Sequence, residues 1–398
     1  MEFSNLASKL QPSITLEITA KANEMKKNGI DVISFGAGEP DFNTPQNIIE
    51  AAKSAMDNGF TKYTPSSGII ELKQEIVKKF KRDNNLDYGT SQIIVSTGAK
   101  QCLSNVFQAI LNKDDEIIIN KPCWVTYPEL ISLYGGVPVY VDTDEKDSFK
   151  YKLDNLEAAV TSKTKAIIIN SPNNPTGAVY SKKELEMIAS FAEKYNLIII
   201  SDEIYEKLIY GDSTHISIAS LSQDAYNRTV VINGFSKTYS MTGWRIGYAA
   251  GAKEIIKLMG SIQSHTTSNV NSITQYASVE ALSGPQDTIA YMKEQFNARR
   301  DYMVDRIKAI PYVTCVRPEG AFYVMLKVKD LYGKYINGES ILNSTIFSSV
   351  LLEEAKVAVV PGAAFGADDY IRLSYATSMD NIKNGLDRIE KFIKKIVI

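Results

Sequence analysis

Short apolar runs alternate with amphipathic stretches through the middle of the chain. The apolar runs, rich in β-branched residues, cover residues 93–95, 116–119, 139–141, 166–169, 197–200 and 230–232. Between two of them, Ser181 and Glu184 have the spacing of a helix capping box, and apolar residues then recur on one helical face. Buried strands separated by amphipathic helices predict an α/β fold with a mostly parallel sheet covered on both faces.

Polar, turn-forming or chargeable residues follow four of these predicted strands. They cover residues 96–100, 171–177, 201–205 and 236–237. Ligands of parallel sheets bind beyond the carboxyl ends of the strands. The sequence therefore predicts that these four segments converge on one site.

The regions on either side of the predicted sheet suggest a second domain. Helices are predicted over residues 45–57, 71–82 and 288–310, and further strands over 321–328, 357–360 and 370–375. We divide the chain into an N-terminal arm and part of a small domain (1–43), a large cofactor-binding domain (44–284) and the rest of the small domain (285–398). The last helix, after Asp380, should bury five apolar residues spaced along one face.

Composition excludes several classes of function. The 44 basic and 46 acidic side chains of the 398 residues leave a formal net charge of −2, so no global field favours nucleic acid or an anionic membrane. The three cysteines are scattered, which favours a reducing compartment and no disulfide framework. The two histidines are isolated, no metal-binding spacing occurs, and no apolar run reaches the roughly 20 residues of a membrane span. We expect a cytoplasmic protein without a metal site.

Lys237 stands at the end of a predicted buried strand and eight residues before Arg245. Burial and a neighbouring cation both disfavour an ammonium group, so this amine can be nucleophilic near neutral pH. Taken alone, Lys237 could equally be an ordinary loop lysine. Its interpretation depends on what the other strand ends supply.

The other strand ends supply groups that suit one cofactor. Gly98, Ala99 and Lys100 open a helix whose free N–H groups favour a phosphate, to which Ser236 and Arg245 add donors. Asp202 follows a buried strand and needs a cation, which a protonated pyridine nitrogen provides.

Three further residues complete this set. Trp124 offers a flat face for a ring, and Asn174 and Tyr205 offer hydrogen bonds to a ring oxygen. Together with an aldehyde-reactive lysine, these groups predict pyridoxal phosphate as the cofactor.

Four segments carry a family resemblance over nearly the whole chain. They read SPNNPTG, SDEIYEKLIY, GFSKTYSMTGWRIGY and YIRLSYA, and they resemble the class I/II aminotransferases of fold type I. The resemblance implies that Lys237 binds the cofactor aldehyde and shuttles the substrate α-proton, and that Asp202 pairs with the ring nitrogen. It also implies a homodimer in which Tyr63 of one subunit reaches the cofactor phosphate of the other.

The same resemblance assigns the remaining cofactor and substrate contacts. Asn174 and Tyr205 would bond the ring hydroxyl, Trp124 would stack on the ring, and Ala99, Lys100, Ser236 and Arg245 would hold the phosphate. Arg372 would bind the substrate α-carboxylate beside Gly38, with Trp124 and Asn174 also near the substrate. An ion pair within the small domain is the alternative for Arg372.

The substrate is predicted from Lys100. The segment GAKQ resembles GGKQ of a bacterial aspartate aminotransferase subgroup in which this lysine helps to read the distal carboxylate. The other subgroup uses an arginine of the partner subunit, and no arginine lies between Arg245 and Arg299. We expect transfer between L-aspartate and 2-oxoglutarate, and a solvated Lys100 is the alternative.

Other functions remain open from the sequence. An aminotransferase of broader range, acting on aromatic amino acids or prephenate, has the same residues. A β-lyase would use the same cofactor. A transcription regulator built on this fold would need a DNA-binding domain before it, and only about eleven residues precede the resemblance.

Overall fold

The computed structural model describes residue 8, residues 14–336 and residues 338–397. The predicted N-terminal arm therefore lies, apart from Ser8, outside the described residues. The described chain is α/β, as predicted, and contains a seven-stranded sheet and a smaller four-stranded sheet.

The strands, numbered along the chain, are β1 Ile33–Ser34, β2 Ile93–Ser96, β3 Glu116–Lys121, β4 Val137–Asp142, β5 Thr164–Asn170, β6 Ile198–Asp202, β7 Thr229–Gly234, β8 Gly247–Ala250, β9 Thr314–Cys315, β10 Tyr323–Lys327, β11 Tyr335–Ile336, β12 Glu339–Ser340, β13 Val357–Ala358, β14 Val360–Pro361 and β15 Tyr370–Ser374.

The helices are α1 Ile14–Lys27, α2 Gln46–Asp57, α3 Ile70–Asn84, α4 Ala99–Ile110, α5 Thr126–Leu133, α6 Leu153–Ala159, α7 Lys182–Lys194, α8 Gln223–Arg228, α9 Lys253–Thr266, α10 Ser272–Ser283, α11 Asp287–Lys308, α12 Ser344–Ala355 and α13 Met379–Val397.

The large sheet has the order β2-β8-β7-β6-β5-β3-β4 and contains all six strands predicted from the apolar runs. Strand β8 runs antiparallel to both of its neighbours, β2 and β7, and the other six strands of this sheet all run in one direction. Successive residues of a strand point to opposite faces, so Ile117 packs in one core cluster and Ile118 in another. Both faces of the sheet are covered, which explains why these strands read as continuous apolar runs.

The helices between the strands begin where the sequence indicates. Helix α7 starts with the predicted capping box, since Ser181 Oγ accepts from the Glu184 N–H and the Glu184 carboxylate accepts from the Ser181 N–H. Helix α4 starts directly after Gly98. This start places the N-terminus of α4 beyond the carboxyl end of β2, where a ligand is expected.

The smaller sheet has the order β14-β15-β10-β9, and its strands are antiparallel. Its core includes the five apolar residues predicted on one face of α13, which are Ile382, Leu386, Ile389, Ile393 and Ile396. Strand β1, from the N-terminal region, pairs in parallel with β13. A strand from the N-terminal region therefore belongs to the same part of the fold as the C-terminal region.

None of the described helices combines the length and the apolar character that a membrane span needs.

Candidate active site

A cavity of about 380 Å³ lies at the carboxyl ends of the large sheet's parallel strands. All the predicted site residues but one line it, namely Gly38, Ala99, Lys100, Trp124, Asn174, Asp202, Tyr205, Ser236, Lys237, Arg245 and Arg372. The exception is Tyr63, whose side chain is 92% exposed. The four predicted segments therefore do converge, as the strand-end rule requires.

Asp202 is the last residue of β6 and is fully buried. Its Oδ2 accepts a hydrogen bond of 2.7 Å from the Tyr127 hydroxyl, and its Oδ1 accepts one of 3.3 Å from the Ile204 N–H. Burial outweighs these bonds and raises the pKa of Asp202 to about 6. A buried carboxylate with only two neutral donors is suited to a cationic partner.

Lys237 follows β7, is half-buried and lines the cavity. Its Nζ donates to the Gly38 carbonyl, and it lies 5.9 Å from the Tyr205 ring centroid. Burial, assisted by the cations Arg245 and Arg372 and opposed by Glu39, lowers the pKa of Lys237 to about 8. Near neutral pH a much larger fraction of this amine is therefore neutral and nucleophilic than of an ordinary lysine.

The start of α4 forms one end of the cavity. Gly98 has φ +85°, and a Cβ there would lie 2.5 Å from Arg245 Nη2. A Cβ at Gly247 would lie 2.5 Å from the Ala99 nitrogen. Two glycines thus let a guanidinium and a strand approach the helix end, whose first N–H groups have no partner within the helix. Because Ser236 lies here too, this end suits a phosphate.

Arg372, on β15, is buried at the other end of the cavity. It donates to Asn174 Oδ1 (3.0 Å) and to the Gly36 carbonyl (3.1 Å), and its Nε has no partner. Its guanidinium lies 4.3 Å from the Tyr323 ring centroid.

The alternative interpretation of Arg372 was a structural ion pair. The salt bridges among the described residues include none to Arg372. Because a buried guanidinium with a neutral environment and a free N–H lacks a counter-charge, this site suits a carboxylate ligand.

Lys100 lies in the first turn of α4 with its side chain largely exposed to the cavity and solvent. Its Nζ is 5.1 Å from the Trp124 ring centroid. Partial burial, together with Arg245, lowers the pKa of Lys100. Among the described residues it has no acidic partner, which leaves its charge available to an anionic ligand.

Sequence reasoning missed several residues of this cavity. Tyr127 and Asn170 support Asp202, since the Asn170 amide donates to the Asp202 carbonyl (2.9 Å). Tyr323 shares a 3.0 Å hydrogen bond with Tyr205 and lies under Arg372. Trp124 lies before helix α5 and Tyr127 within it, so the sequence offered no helical spacing that would link Tyr127 to the predicted site.

Glu39 and Thr242 were also missed. The Thr242 hydroxyl donates to Glu39 Oε2 (2.7 Å), and both line the cavity near Lys237. Glu39 directly follows Gly38, so its position next to a predicted site residue was the one available signal.

The donor set fits pyridoxal 5'-phosphate on the structure's own evidence. The Lys237 amine, whose pKa is lowered, suits reaction with an aldehyde. The buried Asp202 carboxyl, whose pKa is raised, suits a cationic partner such as a pyridinium nitrogen. The glycine-lined start of α4 suits the phosphate. The Arg372 guanidinium lines the cavity and has no acidic partner among the described residues, so it suits a second anion, such as a substrate carboxylate.

Comparisons with known proteins agree with this site. The family model for "Aminotransferase class I and II" matches residues 30–389. An aspartate aminotransferase of Bacillus sp. (strain YM-2) is 52% identical over 98% of this chain and 99% of its own length. A probable aspartate/prephenate aminotransferase of Rickettsia conorii is 49% identical over 99% of this chain and 98% of its own length. The crystal structure of the aspartate aminotransferase from Rhizobium meliloti superposes with a TM-score of 0.96, at 41% identity and with complete coverage of both chains.

Proposed function

The chain belongs to the class I and II aminotransferases, which use pyridoxal 5'-phosphate, and from this premise we propose that it transfers an amino group from L-aspartate to 2-oxoglutarate. The products would be oxaloacetate and L-glutamate. The observation that carries the choice of substrate is a pair of cations without acidic partners, Arg372 and Lys100, that line one cavity. A dicarboxylic amino acid offers one anion to each.

Residues from several elements would hold the cofactor. Lys237 would bind its aldehyde carbon, and Asp202 its ring nitrogen. The first N–H groups of α4 would bind the phosphate together with Ser236 and Arg245. Asn174 and Tyr205 would hydrogen-bond the ring hydroxyl, and Trp124 would stack on the ring.

When bound, the cofactor supplies an electron sink for the charge that develops at the substrate α-carbon. Asp202 keeps this sink effective, because its carboxylate favours the proton on the ring nitrogen. Asp202 is held for this role by the hydroxyl of Tyr127 and by the N–H of Ile204.

Lys237 would move the proton. With a substrate bound, the free Nζ of Lys237 would take the proton from the substrate α-carbon, hold it and release it again. A pKa of about 8 suits a group that must both accept and donate a proton near neutral pH. The Gly38 carbonyl, which accepts from Lys237 Nζ, would orient the amine.

Arg372 would bind the α-carboxylate of the substrate. Asn174 and the Gly36 carbonyl fix the guanidinium, so its direction is set before the substrate arrives. Its buried position excludes water from the pair, which strengthens the interaction with the carboxylate.

Lys100 would bind the distal carboxylate of aspartate. We expect Lys100→Ala to reduce kcat/KM for aspartate about 10- to 100-fold and to change kcat/KM for alanine much less, because alanine has no distal charge. Steady-state rates with 2-oxoglutarate as acceptor measure both. The matched control is Lys113→Ala, since Lys113 lies beyond the other end of α4. Equal losses for aspartate and alanine would rule out a distal-carboxylate role.

A broader substrate range is the second candidate. The Rickettsia conorii relative is named as a probable aspartate/prephenate enzyme, and this favours including prephenate among the substrates tested. Rates for aspartate, tyrosine, alanine and prephenate with one acceptor would rank these possibilities. A coupled assay for pyruvate and ammonia would detect β-lyase activity at the same site.

We further propose that the enzyme is a homodimer in which Tyr63 completes the partner's phosphate site. Tyr63 projects from a segment that is held in place, because Gln263 donates to the Ser66 carbonyl (2.6 Å) and Gln275 to the Thr64 hydroxyl (3.0 Å). A fixed, 92% exposed aromatic residue beside the half-exposed Phe60 and Ile70 supports a contact with another subunit.

Two other expectations remain proposals. A cytoplasmic location is supported by the free state of all three cysteines, which suits a reducing compartment. The division into segments 1–43, 44–284 and 285–398 is supported by the two separate sheets and by the pairing of β1 with β13.

A further inference from the structure

The segment 202–206, which carries the cavity residues Asp202, Ile204 and Tyr205, has a second, buried face. Asp202 and Tyr205 line the cavity, whereas the neighbouring Glu203 and Glu206 are buried outside it. Two carboxylates enclosed by protein are costly unless each is held by specific partners. Their partners come from two other parts of the chain.

Glu203 accepts hydrogen bonds from three side chains. Ser201 and Ser217 donate to its Oε1 at 2.8 and 2.7 Å, and His215 Nε2 lies 2.9 Å from its Oε2. His215 Nδ1 is buried and has no partner. An unpaired buried acceptor costs less than an unpaired buried N–H, so this geometry favours the tautomer in which Nε2 carries the proton and donates to Glu203.

Glu206 is held by helix α3. Lys79 forms a buried salt bridge with it, and the Asn84 amide donates to its Oε2 at 3.0 Å. Lys79 also donates to Asn84 Oδ1 (2.7 Å), which closes the set. Each end of the segment 203–206 is therefore tied to its surroundings by charge-assisted hydrogen bonds.

The backbone links these contacts to the cavity face. The Glu203 N–H donates to the Ile232 carbonyl (2.8 Å), and the Glu206 N–H donates to the Glu203 carbonyl (2.9 Å). Asp202 precedes Glu203 directly. A change in the backbone dihedral angles at Glu203 would therefore also turn the Asp202 carboxylate within the cavity. The Ile204 N–H, which donates to Asp202 Oδ1, lies in the same turn.

We propose that His215 is a positioning residue for the cofactor: by holding the Glu203 carboxylate, it fixes Asp202 opposite the ring nitrogen. The inference rests on the proposed role of Asp202. His215 does not line the cavity, so it acts through Glu203 and the backbone. Ser201, Ser217, Lys79 and Asn84 complete the support.

The charge of Glu203 gives the arrangement a second consequence. Burial is the main cause of the raised pKa of Asp202, and the nearby Glu203 charge adds to it. His215, as a donor to the Glu203 carboxylate, partly compensates this charge and so lessens its effect on Asp202.

The test compares two substitutions of His215 by cofactor affinity. The cofactor-free protein is titrated with pyridoxal 5'-phosphate and followed by visible absorbance. His215→Phe keeps the size but removes the donor, and we expect its affinity to fall 10-fold or more. His215→Gln places an amide donor where Nε2 was, and we expect an affinity within 3-fold of the wild type. Tyr226→Phe loses hydrogen bonds to the Asp87 carbonyl and to the Gln92 side chain, and Tyr226 does not line the cavity. It is the control and should leave the affinity unchanged.

A double-mutant cycle with Asp202→Asn separates positioning from general destabilisation. Asp202→Asn alone should lower the affinity for the cofactor. If the affinity is unchanged, the role of Asp202 in the proposed function is wrong, and the inference that rests on it is wrong too. If His215 acts through Asp202, His215→Phe should change affinity less than 2-fold in the Asp202→Asn background.

Either of two results would overturn the positioning role alone: an unchanged affinity in His215→Phe, or the same fold-loss in both backgrounds. If His215→Phe does not fold, the isosteric Glu203→Gln is taken through the same cycle with the same criteria.

Discussion

At the scale of single residues, the site consists of charged groups whose surroundings oppose their charge until a ligand arrives. Asp202 and Lys237 are the two clearest cases, since burial moves the pKa of both toward the neutral form. In the cofactor-free protein these groups cost stability. Binding a cofactor with a pyridinium nitrogen and an aldehyde removes the cost and thereby contributes to its affinity.

The cost of Asp202 can be measured from the pH dependence of stability. Its folded-state pKa of about 6 exceeds the ordinary value of 3.8, so between these values the folded protein binds more protons than the unfolded chain. Stability attributable to Asp202 therefore falls as pH rises from about 4 to 6. The difference of about two pH units corresponds to roughly 3 kcal/mol.

Asp202→Asn should remove this cost. At pH 8 we expect the cofactor-free variant to be up to about 3 kcal/mol more stable than the wild type, with the gain vanishing below about pH 4. Urea unfolding of both proteins across this range measures the difference. A variant that is less stable at pH 8, with the wild-type pH dependence, would show that Asp202 is well satisfied without a cofactor.

At the residue scale, the sequence predicted those charged site residues whose burial would destabilise the protein without a ligand. Lys237, Asp202 and Arg372 could be predicted because a charge after or within a buried strand needs an explanation. Tyr127 and Tyr323 could not, because a tyrosine suits an ordinary core equally well. Only the folded chain shows that their hydroxyls bond Asp202 and Tyr205.

At the scale of elements, the loop between β2 and α4 is the most constrained part of the site. Gly98 combines φ +85° with the close approach of Arg245, so it allows neither a side chain nor another backbone conformation. The helix start depends on this residue, because α4 has no side-chain cap at Gly98. The phosphate end of the cavity therefore depends on Gly98 as well as on Gly247.

Gly98→Ala should disrupt this end of the site. We expect a loss of stability of about 1–3 kcal/mol from the strained backbone, and cofactor affinity at least 10-fold lower because Arg245 is displaced. Thermal unfolding and cofactor titration measure these effects.

Gly260→Ala is the matched control for this substitution. Gly260 lies within α9 and has nothing within 4 Å of an added Cβ, so its substitution should be neutral or stabilise by up to about 1 kcal/mol. If Gly98→Ala behaved like this control, the glycine would not be needed for the phosphate end.

Among the elements, the predicted strands of the large sheet were confirmed, whereas strand β8 and helix α10 were not predicted. Strand β8 has only four residues, of glycine, tyrosine and alanine, so it lacks a β-branched run. Helix α10 buries Thr274, Gln275 and Ser278 as well as its apolar residues, so it shows no apolar stripe. In both, tertiary contacts rather than local pattern decide the structure.

At the scale of the whole molecule, the cavity lies between the two sheets. Arg372 from β15 meets Asn174, which follows β5 in the large sheet. On another part of the boundary, Glu145 accepts from Lys327 (2.6 Å) and from the Tyr370 hydroxyl (3.0 Å). The substrate and cofactor contacts thus come from both parts of the chain, which local sequence patterns alone could not align.

The proposed dimer can be tested by mixing two defective variants. Lys237→Ala lacks the reactive amine, and Tyr63→Ala lacks the exposed aromatic residue. If Tyr63 serves the partner's site, a mixed dimer contains one site with both residues intact, so refolding the two variants together should restore activity to one site in each mixed dimer. If Tyr63 serves its own chain, mixing should restore nothing beyond the sum of the two variants.

The most direct test of the account is the identity of the residue that carries the cofactor. Purified protein with bound pyridoxal 5'-phosphate is reduced with borohydride, which makes the bond to the lysine permanent, and its peptides are mapped by mass spectrometry. We predict the added mass on Lys237, and its absence in Lys237→Ala together with the loss of transamination. A label on Lys100 or another lysine, or full transamination by Lys237→Ala, would contradict the proposed active site.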